Sequence, residues 1–333
     1  MEHGGPAARV SPRPAQCLLS APVPAIATAA AERIKDANAR YHDAAATEYD
    51  AKWGIDYGPV GQAQVRGKLV KALGAEPEVP FGDALEIGAG TGYFTLNLLQ
   101  LGLIGRATAT DISPGMLATL SASAEQLGVP VATVQTEAEQ LPFDDRSFDI
   151  VFGHAILHHI PDLARAFGEF HRVLRPGGVV AFCGEPSRYG DRIAALPKGA
   201  GVLLAPLWRR LVGASAATVH TEEATDGHEL EPEVDVHAFS PAELAELAEG
   251  AGFGEVRLRG EELLANAHGW LLRTLEATAE PKEVPYGWRL FAFRSYLALQ
   301  RLDTGMLEPR LPPELFYNLV LSGRRPDDEA ARR

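Results

Sequence analysis

The segment Leu85-Glu86-Ile87-Gly88-Ala89-Gly90-Thr91-Gly92, with an aspartate at 111, constrains this chain more than any other feature. A short apolar run, 83–87, leads into a turn of alternating glycines, and a helical pattern begins at 93. Glycines in a strand-to-helix turn let backbone approach a ligand closely, because no Cβ intervenes. The next β-prone run, 106–110, ends at Asp111. An acid at that place in a strand–turn–helix–strand unit can accept both hydroxyls of a ribose.

Gly-x-Gly-x-Gly alone is a weak signal, since a tight strand-to-helix turn needs the same residues. The surrounding residues sharpen it. A dinucleotide loop reads Gly-x-Gly-x-x-Gly and aims a helix N-terminus at pyrophosphate. Here the third glycine comes one residue early, and Glu86 stands beside the loop, where a carboxylate repels phosphate and favours an ammonium or sulfonium. A small cationic nucleoside suits the pattern better than a dinucleotide.

The alternation of elements continues. Ser113-Pro114 is a helix start, a cap followed by proline at the first helical position. Strands are expected at 129–135, 148–152 and 179–183, with a helix over 163–174 stopped by Arg175-Pro176-Gly177-Gly178. Ser240, Pro241 and Glu243 have capping-box spacing, so a helix follows to 249. Further strands are expected at 256–259 and 315–322. This order predicts an α/β fold with a largely parallel sheet, right-handed crossovers and helices on both faces. Its ligand would bind beyond the carboxyl ends of the strands.

The expected organisation is an arm at 1–30, an N-terminal helical cap at 31–80, a core at 81–186 and a lid-like insertion at 187–237. The core resumes at 238–263, a second insertion covers 264–313, a final strand lies within 314–324, and a charged tail follows at 325–333. Arg9 and Arg13 precede a mixed apolar run, but Pro22 and Pro24 break it, so the arm reads as Ala/Pro-rich and disordered rather than as a signal peptide. No segment has the roughly 20 uninterrupted apolar residues of a membrane span.

With 333 residues, 46% of them hydrophobic, the chain can bury a sizeable core without metal or disulfide support. Cys17 and Cys183 make neither a disulfide scaffold nor a metal-ligand spacing, and a reducing cytoplasm is the expected setting. A net charge of -13 argues against a broad nucleic-acid surface.

The glycine turn and Asp111 resemble the first motifs of the class I S-adenosylmethionine-dependent methyltransferases. The resemblance continues through Asp111-Ile112-Ser113-Pro114-Gly115-Met116-Leu117, Glu137-Ala138-Glu139-Gln140-Leu141-Pro142-Phe143, Ser147-Phe148-Asp149, His158-His159-Ile160 and Arg172-Val173-Leu174-Arg175-Pro176-Gly177-Gly178. It spans 83–183 in register and is strongest toward the branch with the menaquinone and ubiquinone C-methyltransferases and many small-molecule methyltransferases. It implies a Rossmann-like seven-stranded sheet with an antiparallel last strand, and S-adenosyl-L-methionine as cofactor. Carried over, Glu86, Gly88, Ala89, Gly90 and Gly92 form the turn at the methionine end. Asp111 takes the ribose hydroxyls, Ile112 and Met116 pack on adenine, and Glu137 and Ala138 border its amino edge. His154 reaches the methionine moiety, and Tyr49 closes over the cofactor.

The remaining candidates are weighed against plainer roles. His158, His159 and His42 are base candidates, because imidazole titrates near working pH, or else packing and surface residues. Asp149 and Asp144-Asp145 read as turn and strand-start residues. His220, His228 and His237 match no compact metal site. The apolar run at 199–213, with Trp208, Arg209 and Arg210, reads as a lid packed on the core, with a membrane-interface segment as the alternative. Arg289, Arg294 and Arg301 share a helical segment with Phe291, Phe293 and Tyr296, which reads as an amphipathic helix rather than a nucleic-acid stripe, given the overall acidity. The expected activity is methyl transfer to a small hydrophobic or aromatic acceptor, quinone-like, polyketide or lipid, with both insertions capping the acceptor site. A non-catalytic S-adenosylmethionine-binding sensor or partner subunit is the alternative.

Overall fold

The computed structural model describes residues 28–46, 49–50, 54–217 and 236–328. The expectations for the arm at 1–27, for His220 and His228 and for the tail beyond 328 lie outside those residues. Seven strands form one sheet: β1 (Phe81–Ile87), β2 (Ile104–Asp111), β3 (Ala132–Gln135), β4 (Phe148–His154), β5 (Leu174–Pro186), β6 (Gly254–Glu261) and β7 (Asn318–Arg324). Their spatial order is β3-β2-β1-β4-β5-β7-β6. Only β7 runs antiparallel to its neighbours. The chain winds outward from β1 to β3, then returns to place β4 on the other side of β1. The crevice beyond β1 and β4 is therefore the switch point where such sheets bind ligands.

The helices are α1 (Thr28–Ala45), α2 (Pro59–Leu73), α3 (Tyr93–Gln100), α4 (Pro114–Leu127), α5 (Leu163–Val173), α6 (Gly190–Val212), α7 (Pro241–Gly250), α8 (Leu264–Ala277) and α9 (Tyr286–Leu302). The central strands are apolar on both faces because helices cover both. Leu85, Ile87, Val151, Val180 and Phe182 point to one side, with Phe167 and Phe170 of α5. Ala84, Ile150, Phe152, Val179 and Ala181 point to the other, with Leu69 of α2 and Phe94 of α3. This is the two-residue period of a strand. Helix α5 buries Leu163, Ala166, Phe167, Phe170 and Val173, one face of a 3.6-residue repeat, and Asp162 caps it by accepting from the Arg165 amide at 3.0 Å. The capping box of α7 forms as its spacing predicts.

Several boundaries differ from the sequence reading. Strand β5 starts at Leu174, so Arg175-Pro176-Gly177-Gly178 stops α5 and already lies within the strand. Phe148 pairs with Leu174 and Ile150 with Val179, leaving that stretch as a bulge. Asp149 anchors it, accepting from Arg175 at 2.6 Å and from the Asp83 amide at 2.8 Å, at the amino-terminal end of the central strands, away from the switch-point crevice. Strand β7 starts at Asn318 rather than 315 because Phe316 turns in to pack on Gly260, where a Cβ would lie 2.1 Å from the ring. Strand β3 is trimmed to Ala132–Gln135.

The run at 199–213 is part of α6, but it does not pack on the sheet as expected of a lid. Ala205 and Trp208 pack on Leu272 and Leu275 of α8, and Trp208 meets Trp288 of α9 with ring centroids 5.1 Å apart. The remaining leucines of the run face outward. Among the described residues no helix is long and apolar enough to cross a membrane.

Phe170 is fully buried between Phe167 and Phe182, at centroid distances of 5.5 and 5.3 Å. Phe170→Ala should cost about 3–5 kcal/mol through lost transfer energy and a residual cavity. Urea unfolding should show a lower midpoint with unchanged slope. A loss under about 1 kcal/mol would mean that this ring cluster does not hold the sheet to α5.

Candidate functional site

A cleft, partly open to solvent, lies beyond the carboxyl ends of β1, β2 and β4. Its floor is the glycine turn. Gly88, Gly90 and Gly92 have φ of 61°, 53° and 94°, the left-handed region that glycine tolerates. A Cβ on Gly88 would lie 2.3 Å from Ile156 Cδ1, so the bare backbone lets Ile156 close over the turn.

Asp111 ends β2 at the cleft wall. Its Oδ2 accepts from the Gly90 amide at 2.8 Å and its Oδ1 from the Ser113 amide at 2.9 Å. Burial pushes its pKa above the usual carboxylate range, against those amide donors. Each oxygen keeps lone-pair capacity toward the cleft. Ile112 lies beside it, and Thr136, Glu137, Ala138 and Glu139 follow β3 along the same wall.

Of the sequence-expected residues, Tyr49, Gly88, Gly90, Asp111, Ile112, Glu137, Ala138 and His154 line the cleft, whereas Glu86, Ala89, Gly92 and Met116 do not. The structure places those four as follows. Ala89 packs below the turn with Leu96, Ala109 and Leu120. Gly92 caps α3. Met116 is 1% exposed behind the wall. Glu86 is turned under the turn, where its Oε2 accepts from the Thr95 amide at 3.0 Å and from the Thr95 hydroxyl. Burial pushes its pKa up to about 8, so at neutral pH it is mostly uncharged. The two strand tips therefore present one carboxylate to the cleft.

The cover comes from the N-terminus, and neither insertion lines the cleft among the described residues. Lys35 and Asn38, which the sequence reading did not name, share one face of α1 with the base candidate His42 at a spacing of three and four residues and point into the cleft. Lys35 Nζ lies 2.5 Å from Glu137 Oε2 and 3.4 Å from Glu139 Oε1. Burial works against its charge, but these carboxylates outweigh it and raise its pKa. Asn38 is 4% exposed; its Nδ2 donates to the Ile34 carbonyl, and its Oδ1 has no protein partner. A buried acceptor in that condition fits a donor supplied by a ligand. Burial, with the charge of Asp111 next in weight, pushes the Tyr49 phenol up to about 12.

The far end of the cleft is formed by His154, Ala155, Ile156, His159, Ile160 and Pro161. Burial, then the charge of Lys68, lowers the pKa of His154 to about 3, and its neutral ring stacks on Phe94 at 4.9 Å. His159 faces the cleft with His42 5.7 Å away. His158 stands behind it, with ring centroids 3.9 Å apart. Glu185, fully buried in β5, fixes this turn by accepting from the amides of Ile156, Leu157 and His158 at 2.9, 3.1 and 3.3 Å. Its Oε2 also lies 3.0 Å from His158 Nδ1. The sequence reading passed over Glu185; its signal was a carboxylate ending an apolar run, as at Asp111. The backbone of Val236 and His237 donates to the His158 carbonyl, and the His237 ring meets the Ile160 carbonyl, a structural use of that histidine.

The raised Glu86 pKa makes a stability prediction. The unfolded carboxyl ionises near its ordinary value, while the folded one keeps its proton to about pH 8. Its contribution is thus complete below the unfolded pKa and is lost as pH rises through the folded one. Glu86→Gln, which keeps an acceptor for Thr95, should gain about 2 kcal/mol or more relative to the parent between pH 5 and pH 8. Melting curves of both proteins across that range measure the difference, and parallel profiles would show that Glu86 is ionised when folded.

The chain matches the methyltransferase domain family over residues 85–182. It is 37% identical over 192 residues to the demethylmenaquinone methyltransferase of Roseiflexus castenholzii, across 56% of this chain and 74% of that protein. It is 34% identical over 148 residues to a malonyl-[acyl-carrier protein] O-methyltransferase of Serratia marcescens, across 44% of this chain and 52% of that one. The phosphoethanolamine N-methyltransferase 2 of Haemonchus contortus, solved with phosphomonomethylethanolamine and S-adenosylhomocysteine, shares the fold with a TM-score of 0.55 at 17% identity, across 88% of this chain and 60% of that one. The sheet order, the glycine turn and these relatives together place the chain in the family of class I S-adenosylmethionine-dependent methyltransferases.

Proposed function

We propose that this methyltransferase acts on a small, uncharged, hydrophobic or aromatic acceptor, quinone-like in the first instance and polyketide or lipid in kind otherwise. One observation carries the reading: the cleft is polar at one end and apolar with imidazoles at the other. Asp111, the Gly88–Gly90 backbone, Ile112, Glu137, Ala138 and the unpartnered Asn38 Oδ1 would hold the nucleoside part of the cofactor, with Tyr49 and His154 along its side. Ile156, His159, Ile160, Pro161 and His42 would meet the acceptor. S-Adenosylmethionine supplies a methyl group already activated by its sulfonium.

The chain's own task is then alignment of the two ligands and exclusion of water. The α1 cover, drawn down by the Lys35 contacts with Glu137 and Glu139, serves both ends. His159 is the residue placed to take a proton from an acceptor that must lose one, and His158, tied to Glu185, positions it.

The relatives' names offer two acceptor chemistries, demethylmenaquinone and a malonyl thioester on a carrier protein. A malonyl carboxylate calls for a cation. The one cationic side chain along the cleft, among the described residues, is Lys35, which is already engaged by two glutamates. That favours the quinone-like ring. A cytoplasmic setting belongs to the same reading and is supported by Cys183, a buried free thiol.

Asp111→Ala should weaken S-adenosylmethionine binding about 10- to 100-fold by calorimetry, because a charged acceptor and its hold on the Gly90 amide are both lost. Unchanged affinity would remove Asp111 from the ribose site. His159→Asn should leave that affinity intact and slow transfer of labelled methyl to demethylmenaquinone about 100-fold. Equal rates would leave His159 a wall residue, and transfer to malonyl carrier protein alone would replace the quinone reading.

A further inference from the structure

Helix α6 carries apolar side chains on opposite sides, and only one side is used inside the protein. Ala194, Gly201, Ala205 and Trp208 are buried, spaced as one face of a helix. On the opposite side Leu196, Leu203, Leu207 and Leu211 are 78, 80, 59 and 77% exposed. Arg192 and Arg210 share that outer side and are exposed as well. Helix α9 adjoins α6 through Trp288 and Trp208. None of its residues is fully buried, and Tyr286, Phe291 and Phe293 are largely exposed, among Arg289, Arg294 and Arg301.

The charge of these two helices runs against that of the whole. α6 carries Arg192, Lys198, Arg209 and Arg210 against one acidic residue, and α9 carries three arginines and no acid, in a chain of net charge -13. Lys198 is committed to the Trp270 ring at 3.9 Å, and Arg209 donates to the Thr278 carbonyl at 3.2 Å, which leaves Arg192 and Arg210 as the cations on the leucine stripe. Exposed leucines flanked by arginines are the composition of a helix lying in a lipid interface. Two-fold pairing with a second copy would set Arg192 and Arg210 against their own kind, between two acidic molecules. An anionic bilayer offers both the apolar layer and the opposite charge.

We propose that the outer face of α6 docks this protein peripherally on an anionic phospholipid surface. Contact is in the interface plane, since no described helix is built to span a bilayer. The proposal rests on the surface alone and does not depend on the acceptor assigned above.

Flotation of the full chain with vesicles of phosphatidylcholine, with and without roughly 30% phosphatidylglycerol, tests it without any methyl transfer. Binding should require the anionic lipid and weaken in about 0.5 M salt. Leu203→Ser with Leu207→Ser, and separately Arg192→Glu with Arg210→Glu, should each reduce the bound fraction at least about fivefold. All four side chains are exposed, so S-adenosylmethionine affinity should stay at the parent value and report an intact fold. Absence of binding to the anionic vesicles would overturn the proposal, as would binding indifferent to both variants. A dimer in sedimentation velocity that the leucine variant dissociates would assign the face to a second copy instead.

Discussion

The Asp111 carboxylate is the tie on which the rest of the site depends. It lies at the tip of β2, yet it holds the glycine turn that follows β1 by accepting from the Gly90 amide, and the start of α4 by accepting from the Ser113 amide. Two adjacent strand-to-helix connections are thereby locked around one buried acid. The register places the strands for this, with Ile87 beside Thr110. Glu86 supports the same turn from below through Thr95, as a buried and mostly neutral group. The cleft thus has a rigid floor made of backbone, and its negative character comes from one strand-tip acid and from Glu137 and Glu139 on the neighbouring wall.

The opposite wall is organised by another buried acid. Glu185 gathers three consecutive amides and the His158 ring, so the turn carrying Ile156 and His159 is fixed where it meets the cleft. A fully buried carboxylate with four such partners is satisfied by hydrogen bonds rather than exposed to a ligand. A third buried ionic cluster ties the periphery to the core. Lys68 and Lys71 of α2 meet Glu261 at the end of β6, and Lys71 also meets Glu308 beyond α9. Burying such charges costs energy that their pairing offsets only when geometry is good. What the cluster provides is a fixed attachment of the second insertion to the N-terminal helices.

Much of this was legible in the residues, for physical reasons. The strands of the core were readable because burial on both faces makes them continuous apolar runs, and the caps at Ser113 and Ser240 because capping requires particular side chains at particular spacings. The glycine turn pointed to its own backbone conformation. What the sequence withheld was direction. Glu86 lies two residues before the turn, and only the pleat of β1 and the position of Thr95 decide that it points beneath it. The outward leucines of α6 form the same string of letters as a buried lid; the partner helix α8 decides which side is covered. Lys35 and Asn38 lie more than forty residues from the glycine turn, so their role depends on a packing of α1 that no local pattern encodes. Among the described residues the N-terminal helix, rather than either insertion, covers the cleft.

The most direct measurement is a crystal structure of the full chain with S-adenosylhomocysteine. The ribose hydroxyls should lie on the Asp111 carboxylate, the adenine between Ile112 and the Glu137–Ala138 wall, and the sulfur toward His154 and His159, with Glu86 still bonded to Thr95. The same compound bound away from the β1, β2 and β4 strand tips, or bound there with its ribose distant from Asp111, would contradict the assignment.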